Sequence, residues 1–269
     1  MFGIAAVLFV AVNFLGIGIP EILVTPLNIV IALMPTILWM VFSLLPERGV
    51  PEPRTQLLPV FIISALVANA IGIPFIDGVL TVESWLSLVS ALERISGYMF
   101  TIGIVHCGIV YVILRYMVWR DHLRTRLDTV SYAATVAVGY TMVLNLQFTS
   151  IGTPLPDVVA MRVFANLSLH LVANITVAYG LSEQRFANAM PLLPPLSIAF
   201  AAFLTGVFIP VRAGLINGSF SGLGVTAPRP LFGLGFTVAF LAALLVVLAF
   251  LFNNAERQER EMQAAAEDV

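Results

Sequence analysis

Leu231 to Phe252 reads LFGLGFTVAFLAALLVVLAFLF, a run without one charged side chain. The roughly 30 Å hydrocarbon core of a bilayer is crossed by about 20 apolar residues, and a helix closes all its backbone hydrogen bonds within itself, as lipid demands. A surface helix of a water-soluble protein would carry a polar face, and this run has none. Working outward, similar runs extend from Phe2 to Ile19, Ile22 to Leu45, Leu57 to Ile76, Tyr98 to Trp119, Thr129 to Phe148, Val159 to Leu181 and Pro191 to Val211. The sequence therefore predicts an all-α, polytopic membrane protein with about eight transmembrane helices. Residues 1–252 form one transmembrane helical domain and 253–269 a charged helical tail.

Composition agrees. Of 269 residues, 59% are hydrophobic and 10% charged, and the mean hydropathy is +0.99, too apolar for a globule with a polar skin. The net charge of -2 is small and unclustered, which excludes nucleic acid as a partner class and leaves the lipid bilayer and other membrane proteins. The lone cysteine, Cys107, cannot form an intramolecular disulfide. No basic residue precedes the first apolar run, so it reads as a retained span rather than a secretory signal. All the basic side chains are arginine, and without a lysine amine a retinal Schiff base is chemically excluded.

Arginine placement gives an orientation. With eight spans, Arg48, Arg54, Arg120, Arg124, Arg126, Arg185, Arg257 and Arg260 fall on one face and Arg115 lies near it, whereas Arg94, Arg162, Arg212 and Arg229 lie toward the other. The positive-inside rule then puts both termini in the cytoplasm of a cell-membrane protein. Pro20-Glu21 predicts a tight turn between the first two spans, and Pro26 and Pro35 predict kinks in the second. Trp85, Leu88, Val89, Leu92 and Ile95 recur at helical spacing, as in a helix lying in the headgroup plane. Arg212 to Pro230 reads as a long loop, and Asn217-Gly218-Ser219 within it matches a glycosylation sequon. Glu256 with Arg260, and Arg257 with Glu261, stand at i,i+4 spacing, which carries the last helix into water.

Polar groups inside spans are costly unless paired or hydrated, so they are the functional candidates. His106 and His170 lie roughly 20 and 16 Å from the cytoplasmic ends of the fourth and sixth spans at the helical rise per residue, near the bilayer middle. Arg162, Asn166, His170 and Asn174 follow at i,i+4 on one face of the sixth span, and Asn145 of the fifth reaches the same region if the helices pack. A polar cavity of His106, Asn145, Arg162, Asn166, His170 and Asn174 is the expectation. The competing reading is that such groups simply join helices to one another. Cys107, about 100° around the helix from His106, reads as a packing residue.

The segment Asp128-Thr129-Val130-Ser131-Tyr132-Ala133-Ala134, followed by Gly139 and Leu144-Asn145, resembles the PrsW-type intramembrane metalloproteases. That family carries D-G-x-x-Y-G, a later glycine, an E-N pair, and R-x(7)-H in the next helix. Asp128, Tyr132, Gly139, Asn145, Arg162 and His170 match in order, over roughly Ile102 to Gly180. The resemblance implies a PrsW/CAAX-protease-like helical bundle. Leu144 replaces the family's glutamate, Ile104 to Val110 lacks the family's E-E-x-x-K, and the seventh span has no histidine.

Metal-assisted hydrolysis needs enough ligands and a carboxylate to deprotonate water. The leading expectation is thus a non-catalytic, pseudoprotease-like protein that binds a partner transmembrane segment or serves as a subunit of a larger membrane complex. The alternatives are a divergent metalloprotease holding zinc on His106 and His170, a haem- or quinone-binding subunit with the same two axial imidazoles, and a transporter. The absence of acidic ligands at membrane depth favours no bound cofactor.

Overall fold

The computed structural model describes residues 1–49, 51–86, 90–119, 121–187, 190–217 and 229–267. Among them the regular structure is helical: α1 Phe2–Asn13, α2 Glu21–Leu44, α3 Leu57–Leu86, α4 Ala91–Val118, α5 Arg126–Ser150, α6 Pro156–Phe186, α7 Leu193–Asn217 and α8 Pro230–Glu267. Helices α2 to α8 are each long and apolar enough to cross a membrane.

The 12 residues of α1 cover only about 18 Å, so the first predicted span is shorter than Phe2 to Ile19. Gly16 takes a φ of +62° just beyond it, a conformation open mainly to glycine. The short helix lies along the start of α6, with Ala5 and Phe9 packed among Val159, Ala160, Val163 and Phe164. Pro26 and Pro35 lie inside α2, which runs on through both.

The headgroup-plane helix is corrected in part. Ser90 caps the next helix in a reciprocal pair with Glu93, and Ala91–Tyr98 then continues through a π turn at Met99–Gly103 into the buried part of α4. Leu92 and Ile95 thus belong to a spanning helix, while Leu88 and Val89 lie outside the described residues. Arg212 to Asn217 is helical rather than loop, and the last two sequon positions, 218 and 219, lie outside the described residues.

The bundle is organised around α5 and α6. They are the two least apolar of the spanning helices, yet 61% and 72% of their windows are buried, against 17% for α8. This ordering inverts that of a soluble protein: lipid accepts the most apolar helix, and the helices carrying hydroxyls, amides and imidazoles retreat to the centre. Between α5 and α6, Gly152 adopts a φ of +77° and Pro156 opens α6 in its first turn, where a missing N–H is harmless. Asn28 of α2 donates to the Pro154 carbonyl at 2.7 Å and ties this turn down.

Small residues set the helix spacing. A Cβ on Gly139 of α5 would lie 2.6 Å from the Phe61 carbonyl of α3, and one on Gly103 of α4 would lie 2.7 Å from the Ala202 carbonyl of α7. Close backbone approach of this kind is how membrane helices gain packing energy without a hydrophobic drive.

Charges gather at one end. Thr125 caps α5 reciprocally with Asp128, whose carboxylate also accepts from the backbone N–H of Arg124 and Thr125. Arg54 donates to Asp128 at 2.6 Å and pairs with Glu47, strapping the α2–α3 connection over the start of α5. Beside this, Arg126 of α5 meets Glu183 of α6 at 2.9 Å, with side-chain exposures of 4% and 10%. The last helix continues past the bilayer-length segment Pro230–Arg257 to Glu267, with Arg260 3.4 Å from Glu256.

Candidate functional site

Near the middle of the bundle, α4, α5 and α6 bring four polar side chains into mutual contact. Nε2 of His106 is 2.7 Å from Oδ1 of Asn174 and 2.9 Å from Nδ1 of His170. Nδ2 of Asn174 donates to the Ala133 carbonyl of α5 at 3.3 Å, which fixes the amide with its oxygen toward His106. His106 Nε2 must then carry the proton and donate, and His170 Nδ1 can only accept. One N–H serves two acceptors, both rings are neutral, and His106 is left with a bare Nδ1, buried and unpartnered.

Tyr140 of α5 closes the cluster. Its ring stands edge-on to His106 at 4.4 Å between centroids and tilted against His170 at 5.3 Å. The tyrosine is 1% exposed, and its hydroxyl is buried without a hydrogen-bond partner. That hydroxyl sits where a Cβ on Gly72 of α3 would be, at 2.5 Å, so the niche exists only because residue 72 is glycine. Tyr140 was not among the residues singled out from sequence. The available signal was its place two turns beyond Tyr132 on one helix face.

The predicted stripe on α6 does not act as one unit. His170 and Asn174 are buried in the cluster. Asn166, one turn nearer the start of α6, is half-buried and donates to Oδ1 of Asn145 at 2.9 Å, leaving Asn145 Nδ2 buried without a partner. Arg162 is exposed, with its guanidinium 4.0 Å from the Phe148 ring centroid at the end of α5. The residues fall into three groups along the helix: a cation on an aromatic face, an amide pair, and the imidazole cluster.

The other residues matching the family pattern have evident packing roles. Asp128 caps α5, Tyr132 is 1% exposed in the core, and Gly139 lets α3 approach α5. Cys107 is fully buried among apolar side chains of the main core.

Zinc and haem each make demands that this donor set does not meet. Two imidazole nitrogens and one amide oxygen converge, but each is already engaged with another, and no carboxylate hydrogen-bonds to them among the described residues. Nor does any group of three or more His, Cys, Asp or Glu suited to one ion occur among those residues. Asp77, exposed in a π turn of α3, does not hydrogen-bond to the imidazoles among the described residues. A hydrolytic zinc centre does not fit this set. Axial haem ligation does not fit either, since nitrogens 2.9 Å apart leave no room for a porphyrin between them. No family model matches the sequence, and no curated protein or solved structure is significantly similar to it.

Proposed function

We propose that this chain is a catalytically silent, PrsW-like membrane protein that recognises a transmembrane segment of a partner or serves as a subunit of a larger membrane complex. One observation carries the reading. His170, which matches the histidine of the family pattern, is joined to His106 and Asn174 in a buried hydrogen-bond cluster of uncharged groups, with His106 Nε2 2.7 Å from Asn174 Oδ1 and 2.9 Å from His170 Nδ1. Leu144 stands half-buried where the resemblance implies a glutamate. Among the described residues no carboxylate hydrogen-bonds to the imidazoles, so a water beside them would lack the proton acceptor that hydrolysis needs. At and beside the cluster, His106 Nδ1, Tyr140 Oη and Asn145 Nδ2 are buried without partners among the described residues. Each such atom is costly to leave unmatched, and a hydrogen-bonding group of an incoming segment would relieve it. The arginine-rich face and the end of α8 lie in the cytoplasm of this proposed cell-membrane protein, by the positive-inside rule.

The test uses the full protein in two settings. A photo-crosslinker replacing Asn166, the half-buried member of the amide pair, should give a discrete adduct with another membrane protein in native membranes. The same group at the lipid-facing position 250 should not. In liposomes supplied with zinc and model transmembrane peptides, no cleavage is expected. Recovery of the bare protein alone from position 166, or cleavage that is abolished in His170→Ala, overturns the reading.

A further inference from the structure

Asn69 is a polar side chain on the outside of the bundle at the depth where lipid is least forgiving. It lies in the π turn Ala68–Gly72 of α3, and its side chain is exposed. Twelve residues separate it from Leu57 at the charged end, about 18 Å at the helical rise, close to the middle of a hydrocarbon core of about 30 Å. A second observation gives the same level: three residues on, Gly72 adjoins the Tyr140 hydroxyl of the midplane cluster. An amide there is too deep to reach the interface, because asparagine is too short to snorkel.

The two faces of α3 differ. Leu57, Val60, Ser64, Ala68 and Gly72 are buried toward the bundle. On the outside, Ile62, Leu66 and Ile71 are 46%, 57% and 56% exposed, so Asn69 is a polar side chain set among apolar ones on an outer face. A lone asparagine in an apolar helix interface is a known means of fixing register.

We propose that α3 forms a homodimer interface, with Asn69 of one copy hydrogen-bonded to Asn69 of a second copy. The occupant follows from symmetry and chemistry. Copies inserted with the same orientation are related by a two-fold axis along the membrane normal, so their α3 helices pair in parallel and each Asn69 meets its twin at the same depth. A carboxamide carries both a donor and an acceptor, so two of them satisfy each other reciprocally. Membrane helices use such contacts as interhelical glue. The proposal is independent of the reading of the midplane cluster.

Full-length protein in phosphatidylcholine vesicles provides the test. Oxidation of the Leu66→Cys variant should give a disulfide-linked dimer, while Val246→Cys on the lipid-facing side of α8 should not; the native Cys107 is buried. Energy transfer between labelled copies should report an equilibrium whose dissociation constant rises about tenfold in Asn69→Leu and stays within about threefold in Asn69→Gln. Asn69→Leu replaces an outward side chain and leaves the core intact, so a weaker signal reads association rather than misfolding. A protein monomeric at every density, equal crosslinking from both cysteines, or unchanged association in Asn69→Leu each overturns the proposal.

Discussion

The charged end of the α5–α6 pair and its middle join the same helices by opposite means. At the end, Arg126 and Glu183 meet as ions 2.9 Å apart, and Arg54 reaches Asp128 at 2.6 Å. In the middle, His106, His170, Asn174 and Tyr140 make contacts of neutral groups only. The difference follows the solvent. Near the interface, water and headgroups offset part of the cost of ionisation, so a strong pair is available to lock the helices. At the midplane an ion has no such support, and polarity survives only as uncharged donors and acceptors.

Four single substitutions and one double variant break or sharpen this contrast. The largest effect is expected for Glu183→Ala, which removes the carboxylate that lies 2.9 Å from the buried Arg126 guanidinium. A loss of about 3–5 kcal/mol is expected in unfolding from mixed micelles. The double variant Arg126→Met with Glu183→Leu should recover most of it, since it also removes the buried charge that had faced the carboxylate. Next comes Asn174→Ala in the neutral cluster, which removes one of the two acceptors of the His106 N–H and the side-chain donor to the Ala133 carbonyl. About 1–3 kcal/mol should be lost, with a shift in the imidazole nitrogen resonances of both histidines. Unchanged resonances would break the bond network described above. Thr125→Ala removes the α5 cap at the charged end, and about 1 kcal/mol is expected by the same unfolding measurement. Asn166→Leu takes away one amide contact between α5 and α6 and should cost about 0.6 kcal/mol. If it costs more than Glu183→Ala, the solvent-gradient account fails.

Helix number and class were legible because run length against bilayer thickness is a geometric constraint that few sequences satisfy by accident. Helix ends were less so. Ser90 and Glu93 carry a helix-start signature, yet the amphipathic pattern of Leu92 and Ile95 suggested an interfacial helix, because periodicity cannot distinguish a separate helix from the first turns of a spanning one. The extension of α7 beyond Arg212 was hidden by the glycines that follow. At the site, His106 and His170 could be brought to one depth by counting residues from the helix ends, and the structure puts their nitrogens 2.9 Å apart. Tyr140 gave a fainter cue, its i,i+8 spacing from Tyr132 on the same helix, which marks a shared face but no depth or partner. Arg126 and Glu183, separated by 57 residues, each read as flanking charge, and only the antiparallel packing of α5 on α6 makes them a pair.

The unbroken course of α8 has a mechanical consequence. Its 38 residues form a rod of about 57 Å, and no proline or glycine interrupts it beyond Gly235. A tilt imposed on its lipid-embedded part is therefore magnified at the far tip, as along the needle of a gauge. Rearrangement inside the bilayer would be legible in the aqueous phase from a probe fixed near Glu267.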